Sequence, residues 1–255
     1  MKRLAPTLLC GAVAAALIAC AADDDSNLPP PEETEYYSPV PPIVRAPADA
    51  PPSDALVLFD GSSMDAWETE KPDAKGWKIE DGALVVVPKQ GTLRTKQAFG
   101  DVQVHIEWRA PADDDGEGQK GGNSGVFLMG RYELQVLNSH ENPTYVNGQA
   151  GSIYKQHPPL VNASRPRGEW QTYDIVFVAP RFGADGKVVS PARMTAFHNG
   201  VLVQRDAVLK GDTVWRGAPK YTAHPAKLPI ELQDHGDLVA YRNIWVREIS
   251  LPEGE

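Results

Sequence analysis

The segment from Gly121 to Asn138 constrains the fold more than any other part of the chain. It has the pattern of two strands that meet at a turn at Gly130-Arg131. In the second strand Glu133 and Gln135 share one face, and the opposite face carries Tyr132, Leu134 and Val136. This alternation predicts an antiparallel sheet with one face buried and one polar face. The polar face is either a shallow binding surface or an ordinary half-solvated surface.

Further strand patterns recur every ten to twenty residues along the chain. They predict strands at residues 55–59, 77–80, 83–87, 102–109, 125–129, 132–137, 171–179, 193–198, 201–205, 230–233 and 242–250. Asp81-Gly82 and Asn199-Gly200 predict two-residue hairpin turns, because both residue pairs tolerate a positive φ. Helical periodicity of useful length and internal repeats are both absent. We therefore predict one all-β sandwich over residues 54–252.

The N-terminus has the pattern of an export signal. Lys2 and Arg3 precede an apolar run that is too short to span a bilayer and that ends at Cys20. A small residue precedes Cys20, which is typical of a lipoprotein cleavage site, so residues 1–20 are predicted to be a signal peptide and Cys20 to be lipidated. The alternative is an ordinary signal peptide with an incidental cysteine. Because Ala21 rather than Asp follows, we expect an anchor in the cell envelope, at the outer membrane of a Gram-negative host, facing the periplasm or the cell surface.

Composition narrows the partners of the mature protein. Residues 21–53 contain nine prolines and few aliphatic residues, and they predict a disordered tether. Without Lys2 and Arg3 the chain has 23 basic and 34 acidic residues, a net charge of −11 with neutral histidines. Such a surface repels nucleic acid and anionic lipid headgroups, so a neutral or cationic small molecule is the expected partner.

No cysteine lies beyond Cys20, which excludes an intramolecular disulfide in the mature chain.

Polar side chains on three predicted strands are the candidates for a binding site. Glu107 and Arg109 share a face of one strand, Glu133 and Gln135 share a face of a second, and Glu231 and Gln233 precede His235 on a third. If these strands are neighbours, their polar faces form one cluster. Strand order in a sandwich is not local, so adjacency stays open at this point.

An ordered set of motifs extends over residues 55–250. The motifs are Leu58-Phe59-Asp60-Gly61, Trp67, Trp77, Asp81-Gly82-Ala83-Leu84, Glu107-Trp108-Arg109, Asn123-Ser124-Gly125-Val126, Tyr132-Glu133-Leu134-Gln135, Gly151-Ser152-Ile153-Tyr154, Gln233-Asp234-His235-Gly236, Val239 and Tyr241-Arg242-Asn243-Ile244-Trp245-Val246-Arg247. In these motifs the chain resembles the 3-keto-disaccharide hydrolase domain family. The resemblance implies a concanavalin A-like jelly roll of two curved antiparallel sheets. It also implies action on glycosides that a separate dehydrogenase has oxidised at C3, by an exported or lipidated protein.

The same fold hosts retaining β-glucanases with the strand pattern Glu-x-Asp-x-x-Glu, whose two outer carboxylates lie about 5–5.5 Å apart. The comparable strand here begins at Glu133 and has Gln135 in the Asp position and Asn138 in the acid position. An amide does not donate a proton as a carboxylic acid does. Ordinary retaining hydrolysis by that pair is therefore not expected.

A 3-keto sugar offers another route, because the ketone acidifies the hydrogen on C2. A base removes this hydrogen, the C1 substituent leaves by β-elimination, and water adds to the double bond. This route needs one positioned base, donors to the enolate oxygen and a proton source for the leaving group. It does not need two flanking carboxylates.

Three residues are candidates for proton transfer. His235 is the first, as base or acid, because imidazole exchanges protons near neutral pH; alternatively it only orders a turn. Glu133 is the rival base or a ligand of a sugar hydroxyl, and Glu107 has the same two roles or pairs with Arg109. The predicted substrate-binding residues, which can donate hydrogen bonds to a ketone or hydroxyl, are Arg109, Asn123, Gln135, Gln233 and Arg242. Trp67 and Trp77 are assigned to the core.

No cofactor is required by this route. A divalent cation would stabilise an enolate, but the acidic segment from Asp113 to Gly118 lacks EF-hand spacing and is assigned to a solvated loop. Two other functions remain open. One is a non-catalytic carbohydrate-binding module on a lipid tether, and the other is a conventional glycoside hydrolase with a carboxylate pair such as Glu133 and Glu231.

Overall fold

The computed structural model describes residues 28–71, 73–113 and 115–250. The predicted signal peptide, Cys20 and the start of the predicted tether lie outside the described residues. The chain divides into two units at the bond between Ile43 and Val44. In the first unit the described residues contain a 3₁₀ turn at Pro31–Thr34. Within the described ranges, no helix has the length and apolar character needed to cross a membrane.

The second unit is built from β-strands, as the sequence predicts. In its described part the strands are β1 (Leu56–Phe59), β2 (Trp67–Thr69), β3 (Lys78–Glu80), β4 (Ala83–Val85), β5 (Leu93–Phe99), β6 (Val102–Arg109), β7 (Ser124–Leu128), β8 (Tyr132–Val136), β9 (Gln171–Val178), β10 (Arg181–Phe182), β11 (Val188–Ser190), β12 (Arg193–His198), β13 (Val201–Val208), β14 (Leu228–Leu232) and β15 (Ala240–Glu248).

Two antiparallel sheets form the sandwich. The eight-stranded sheet has the order β13-β12-β9-β6-β15-β4-β3, and β1 also pairs with β15. The five-stranded sheet has the order β2-β5-β14-β7-β8, and β10 and β11 form a separate two-stranded ribbon. This confirms the predicted jelly-roll sandwich of two antiparallel sheets. It also separates β6 from β7, β8 and β14, because they lie in different sheets.

The core lies between the inner faces of the two sheets. Every second residue of β6 is buried, from Val102 to Trp108, and the residues between them are half-buried on the outer face. In β8 the apolar residues Tyr132, Leu134 and Val136 enter the same core. Since successive side chains alternate in direction, Glu133 and Gln135 must lie on the outer face of the five-stranded sheet.

Two tyrosines connect the sheets through the core and fix the strands that carry the polar residues. The Tyr173 hydroxyl of β9 donates to the Gln135 carbonyl of β8 at 2.7 Å. The Tyr241 hydroxyl of β15 donates to Ser124 Oγ of β7 at 2.7 Å, and Ser124 Oγ donates to the Gln233 carbonyl at 2.6 Å. Breaking such a buried bond leaves a polar group unsatisfied at a cost of about 1–3 kcal/mol. The core therefore holds β7, β8 and the end of β14 in one register.

The predicted hairpins are confirmed, and four strands were not predicted. Asp81-Gly82 and Asn199-Gly200 both have positive φ at both residues. The turn between β7 and β8 is centred on Met129-Gly130, one residue earlier than predicted, with φ of 57° and 61°. The unpredicted strands are β2, β5, β10 and β11. They are short or, in β5, interrupted by charged and amide side chains that hide the alternation.

Candidate active site

A cavity of about 220 Å³ lies against the outer face of the five-stranded sheet. It is lined by Asn123, Phe127, Glu133, Gln135, Tyr154, Thr213, Trp215, Gln233 and His235. Five of the eight residues predicted for catalysis or substrate binding are among them. The sandwich therefore brings together the ends of β7 and β14 with the middle of β8.

Two loops cover β8 and bury its polar face. β8 is at the edge of its sheet, where backbone groups lack a strand partner. The Gln135 N–H donates to the Ser152 carbonyl at 3.0 Å, and the Gln135 carbonyl also accepts from the Gly151 N–H at 3.0 Å. On the other side of the strand's centre, the Glu133 N–H donates to Thr213 Oγ1 at 3.1 Å. These contacts turn an exposed sheet edge into the floor of a cavity.

Glu133 is the carboxyl group of this cavity. Only 4% of the residue is exposed, and burial raises the pKa of its carboxyl from 4.5 to about 8. A Cβ placed on Gly125, on the neighbouring strand, would lie 2.6 Å from Glu133 Oε1. The missing side chain of Gly125 thus provides the space into which the carboxyl folds. A group with a pKa near 8 exchanges protons readily at neutral pH.

Gln135 lies beside Glu133 and orients it. With its amide nitrogen turned towards Glu133, Gln135 Nε2 donates to Glu133 Oε1 at 2.8 Å and to the Ser124 carbonyl at 3.0 Å. No described residue donates a hydrogen bond to the other carboxyl oxygen of Glu133. That oxygen is free to accept a proton from a ligand.

Asn123 and Gln233 supply the other amides of the cavity. Asn123 Nδ2 donates to the Gln119 carbonyl at 2.7 Å, which fixes that side chain. The Gln233 backbone N–H donates to the Gly125 carbonyl at 3.1 Å, but its side-chain Oε1 is buried without a hydrogen-bond partner among the described residues. The Gln233 amide is therefore positioned by its backbone and not fixed at its tip.

His235 stands in a tight turn at the rim. Asp234 holds this turn, since Asp234 Oδ1 accepts from the Gly236 N–H at 3.1 Å and Oδ2 accepts from the Gly91 N–H at 2.9 Å. Gly236 has a φ of 101°, which favours glycine. The imidazole is exposed on one side and lines the cavity on the other. The turn therefore holds the His235 imidazole at the rim of the cavity.

Four lining residues were not predicted as site residues: Phe127, Tyr154, Thr213 and Trp215. The Tyr154 hydroxyl is hydrogen-bonded to the Tyr145 hydroxyl at 2.8 Å, and burial raises the pKa of Tyr154. Trp215 is 65% exposed, which is unusual for so large an apolar side chain. A lone tryptophan in a polar loop was the available signal, because an exposed aromatic ring offers a stacking surface for a sugar.

Three predicted site residues do not line the cavity: Glu107, Arg109 and Arg242. The convergence of three polar faces, which the sequence left open, is not found. The three residues lie on β6 and β15 in the eight-stranded sheet, on its outer face. Arg242 Nε donates to Glu107 Oε2 at 2.6 Å, and the guanidinium groups of Arg242 and Arg109 lie 4.1 and 4.7 Å from the Trp170 ring centroid. The residues of β6 do alternate between buried and polar, but its polar residues lie on the opposite side of the sandwich from Glu133.

The positions expected for a second carboxylate do not supply one beside Glu133. Asn138 lies beyond the end of β8, and in its satisfied amide orientation Oδ1 accepts from Arg167 Nε at 2.9 Å. Glu231 lies opposite Phe127, which in turn lies opposite Glu133, so the two glutamates are two strands apart. That spacing is about 10 Å between backbones, against the 5–5.5 Å carboxylate separation of retaining enzymes.

Two further expectations concern metals and tryptophans. Among the described residues, no group of three or more His, Cys, Asp or Glu side chains is placed to hold a metal ion. Asp114, in the acidic segment, lies outside the described residues.

The core assignment of Trp67 and Trp77 is confirmed, because both are 3% exposed. Trp67 Nε1 donates to the Leu58 carbonyl, and Trp77 Nε1 donates to the Gly91 carbonyl.

The model of a known family, the 3-keto-alpha-glucoside-1,2-lyase-like domain, matches residues 54–247. The chain belongs to this family. The match covers β1 to β14, β15 except for Glu248, and every lining residue of the cavity, and it agrees with the resemblance carried by the sequence motifs.

Similar proteins occur in Bacteroides thetaiotaomicron and Parabacteroides distasonis. A 3-keto-disaccharide hydrolase of Bacteroides thetaiotaomicron is 23% identical over 258 residues, which cover 80% of this chain and 81% of the relative. A crystal structure of a candidate glycosyl hydrolase from Parabacteroides distasonis is 47% identical, with a TM-score of 0.83 over 86% of this chain and 97% of the other. A second candidate glycosyl hydrolase from that organism, 18% identical with a TM-score of 0.55, covers 77% of this chain and 94% of its own and shares the fold.

Proposed function

We propose that this protein is an enzyme that cleaves the glycosidic bond of 3-keto-glycosides, with a 3-keto-disaccharide as substrate. The observation that carries the proposal is the single buried carboxyl group of the cavity, Glu133, surrounded by amides. Among the described lining residues it is the one carboxyl group. Conventional glycoside hydrolysis uses two, whereas elimination across C1 and C2 uses one base. The family description and the name of the Bacteroides relative support the same chemistry.

The reaction begins with removal of the C2 proton by the Glu133 carboxylate. The electrons of the C2–H bond form a C2=C3 double bond and place negative charge on the C3 oxygen. Side-chain amide N–H groups of Gln233 or Asn123 donate to this oxygen, which lowers the energy of the enolate. Burial suits Glu133 for this role, because a raised pKa makes its carboxylate a stronger base.

The second step expels the leaving group. The C3 carbonyl re-forms, a C1=C2 double bond appears, and the bond between C1 and the glycosidic oxygen breaks. The departing oxygen takes a proton from His235, which lines the first cavity together with Glu133. Water then adds across the double bond, with its hydroxyl on C1 and its proton on C2. The sum of these steps is hydrolysis.

The deciding experiment follows the hydrogen on C2. A 3-keto-disaccharide deuterated at C2 should react more slowly in a single turnover or exchange its deuterium with solvent. Direct displacement at C1 predicts neither result, so full retention of the label without an isotope effect would overturn the mechanism. The matched control is the same disaccharide without oxidation, which should not be cleaved. Cleavage of the unoxidised sugar would favour a conventional glycoside hydrolase, and cleavage of neither sugar would favour a binding module.

We also propose that the enzyme is exported and attached to the cell envelope through a lipid on Cys20. The apolar run before Cys20 and the small residue that precedes it support this proposal. Metabolic labelling with a fatty-acid analogue should tag the wild-type protein and not Cys20→Ser. Equal labelling of the two would contradict it.

A further inference from the structure

A second cavity, of about 480 Å³, adjoins the first on the outer face of the five-stranded sheet. It is lined by Arg94, Phe127, Met129, Gly130, Arg131, Asp212, Thr213, Leu228, Pro229 and Glu231. Phe127 and Thr213 line both cavities. The two spaces are therefore neighbours divided by one aromatic side chain and one hydroxyl side chain.

Sheet register aligns the two cavities in one row. Glu231 of β14 lies opposite Phe127 of β7, and Phe127 lies opposite Glu133 of β8. Directly opposed residues point to the same face of a sheet, at about 4.8 Å per strand. A ligand that lies across the strands over Phe127 would thus place one part beside Glu133 and the next part beside Glu231.

Glu231 is a carboxyl group with no assigned partner. No described residue forms a hydrogen bond or ion pair with its side chain, whereas Arg94 in the same cavity pairs with Glu68 at 2.8 Å. Burial, and then the charge of Glu70, raise the pKa of Glu231. A half-buried carboxyl group that the protein leaves unpaired in a cavity is typical of a ligand-binding position.

The turn between β7 and β8 leaves room for this carboxyl group. A Cβ on Gly130 would lie 2.8 Å from Glu231 Oε1, and Gly130 has a φ of 61°. Next to it, Arg131 pairs with Asp212, whose Oδ1 is buried without a hydrogen-bond partner among the described residues. The cavity thus combines carboxylate acceptors with guanidinium donors, which suit a ring with several hydroxyl groups.

We propose that this second cavity binds the leaving group as a pyranose ring, with Glu231 accepting hydrogen bonds from its hydroxyl groups and Phe127 lying beneath the bond between the two rings. The inference rests on the proposed function, since it assigns the first cavity to the keto sugar. It explains how an enzyme with one catalytic carboxyl group selects a disaccharide. It also gives Glu231 a binding role in place of the role of a second catalytic carboxylate.

Two substrates with the same keto sugar test the assignment: a 3-keto-disaccharide and the corresponding methyl 3-keto-glycoside. In Glu231→Gln the kcat/KM for the disaccharide should fall about tenfold, as expected for loss of a hydrogen bond to a charged group. The kcat/KM for the methyl glycoside should change less than about twofold, because it has no second ring. The control Glu248→Gln, on β15 and outside both cavities, should leave both values unchanged. An equal loss on both substrates, or no loss on either, would overturn the subsite.

A binding measurement keeps the two proposals separate. If the wild-type enzyme cleaves neither substrate, the proposed function fails, and calorimetry with the unoxidised disaccharide decides the subsite. A roughly tenfold weaker Kd in Glu231→Gln, with an unchanged thermal midpoint, would support the second cavity as a sugar site. An unchanged Kd would refute it.

Discussion

The outer faces of the two sheets have similar sequences and different environments. On β6, Glu107 and Arg109 alternate with buried apolar residues, and on β8 Glu133 and Gln135 do the same. Glu107 is hydrogen-bonded to Arg242 and to Asn243 Nδ2, at 2.6 and 2.9 Å. Glu133 has no cationic partner among the described residues and lies beneath two loops.

The pKa values of the carboxyl groups on these two faces are shifted in opposite directions. Burial pushes the pKa of Glu107 upward, but the hydrogen bonds from Asn243 and Arg242 and the charge of Arg242 outweigh it, so the pKa is lowered. For Glu133 no charged partner in the described part of the chain opposes burial, and the pKa rises to about 8. Polar alternation along a strand therefore identifies an outer face. Whether that face becomes a site depends on loop cover and on the absence of a charge partner.

The largest difference between the two faces should appear in catalysis. Glu133→Gln should lower the single-turnover rate on a 3-keto-disaccharide by roughly 10²–10⁴-fold, the usual loss for a positioned acid or base. Glu107→Gln, the matched change on the other sheet, should lower it less than about threefold. A rapid-quench assay of both variants measures this difference. Comparable losses in the two variants would show that the faces do not divide as proposed.

The pH dependence should follow Glu133. An aryl 3-keto-glycoside has a leaving group that departs without a proton, so its kcat/KM isolates the base. Because only the carboxylate removes a proton, kcat/KM should rise about tenfold per pH unit below a pKa of about 8 and level off above it. His235→Ala should keep this profile and retain activity on the aryl substrate, while losing it on the disaccharide. A kcat/KM that falls with pH over this range would instead indicate that Glu133 acts as an acid.

Gly125→Ala should reduce activity less than loss of the carboxyl group does. The added methyl would meet Glu133 Oε1 at 2.6 Å, so the carboxyl must move while its chemistry is kept. Small displacements of catalytic groups lower the rate of the chemical step, and we expect roughly a tenfold to hundredfold lower kcat. Gly200→Ala adds a methyl group away from the site, at a hairpin position with a φ of 77° where alanine strains the backbone, and thus controls for a general loss of stability without a displaced Glu133. Unchanged kcat in Gly125→Ala would show that the position of Glu133 is not critical.

The sequence predicted the strands and the polar outer faces of the two sheets, but not the reason why only one of these faces forms a cavity. The strand alternation, the hairpin turns and the tryptophans of the core follow from local pattern, because side-chain direction and turn geometry are local properties. The adjacency of β6 and β8, which the sequence left open, is not found, since strand order depends on contacts between residues more than a hundred positions apart. The burial of Glu133 was also not visible, because it is produced by loops around Ser152 and Thr213 whose position over β8 no strand pattern predicts, although Ser152 belongs to one of the sequence motifs.

The two faces should contribute to stability with opposite signs as pH changes. The pKa of Glu133 is raised in the folded protein. Below pH 4.5 its carboxyl group is protonated in both the folded and the unfolded state, so its ionisation does not affect stability. Between pH 4.5 and about 8 only the unfolded state ionises, and the fold is increasingly destabilised. Glu133→Gln should therefore match the wild type near pH 4 and be more stable by several kcal/mol near pH 9, on the order of 1 kcal/mol for each pH unit between the unfolded and folded pKa values. Glu107 has a lowered pKa, so its stabilising effect is present above 4.5 and is lost as pH falls through the folded value. Glu107→Gln should be less stable than wild type near pH 7, and the difference should vanish in acid. Urea unfolding at these pH values measures both, and the same sign for the two variants near neutral pH would contradict the contrast.

The smallest effects should come from the cations of the eight-stranded sheet. Arg109→Gln removes a guanidinium that lies 4.7 Å from the Trp170 ring centroid, where a cation–π contact at an exposed site contributes about 0.5–1 kcal/mol. Arg242→Gln removes both such a contact and the ion pair with Glu107, yet its side chain is 43% exposed, so solvent screens the pair and the loss should stay near 1 kcal/mol. Neither change touches the cavity, and kcat/KM should stay within about twofold of wild type in both. Urea unfolding measures the first effect and steady-state kinetics the second. A drop of more than about tenfold in kcat/KM, with stability unaffected, would mean that substrate reaches the outer face of the eight-stranded sheet, and the contrast between a paired face and a catalytic face would fail.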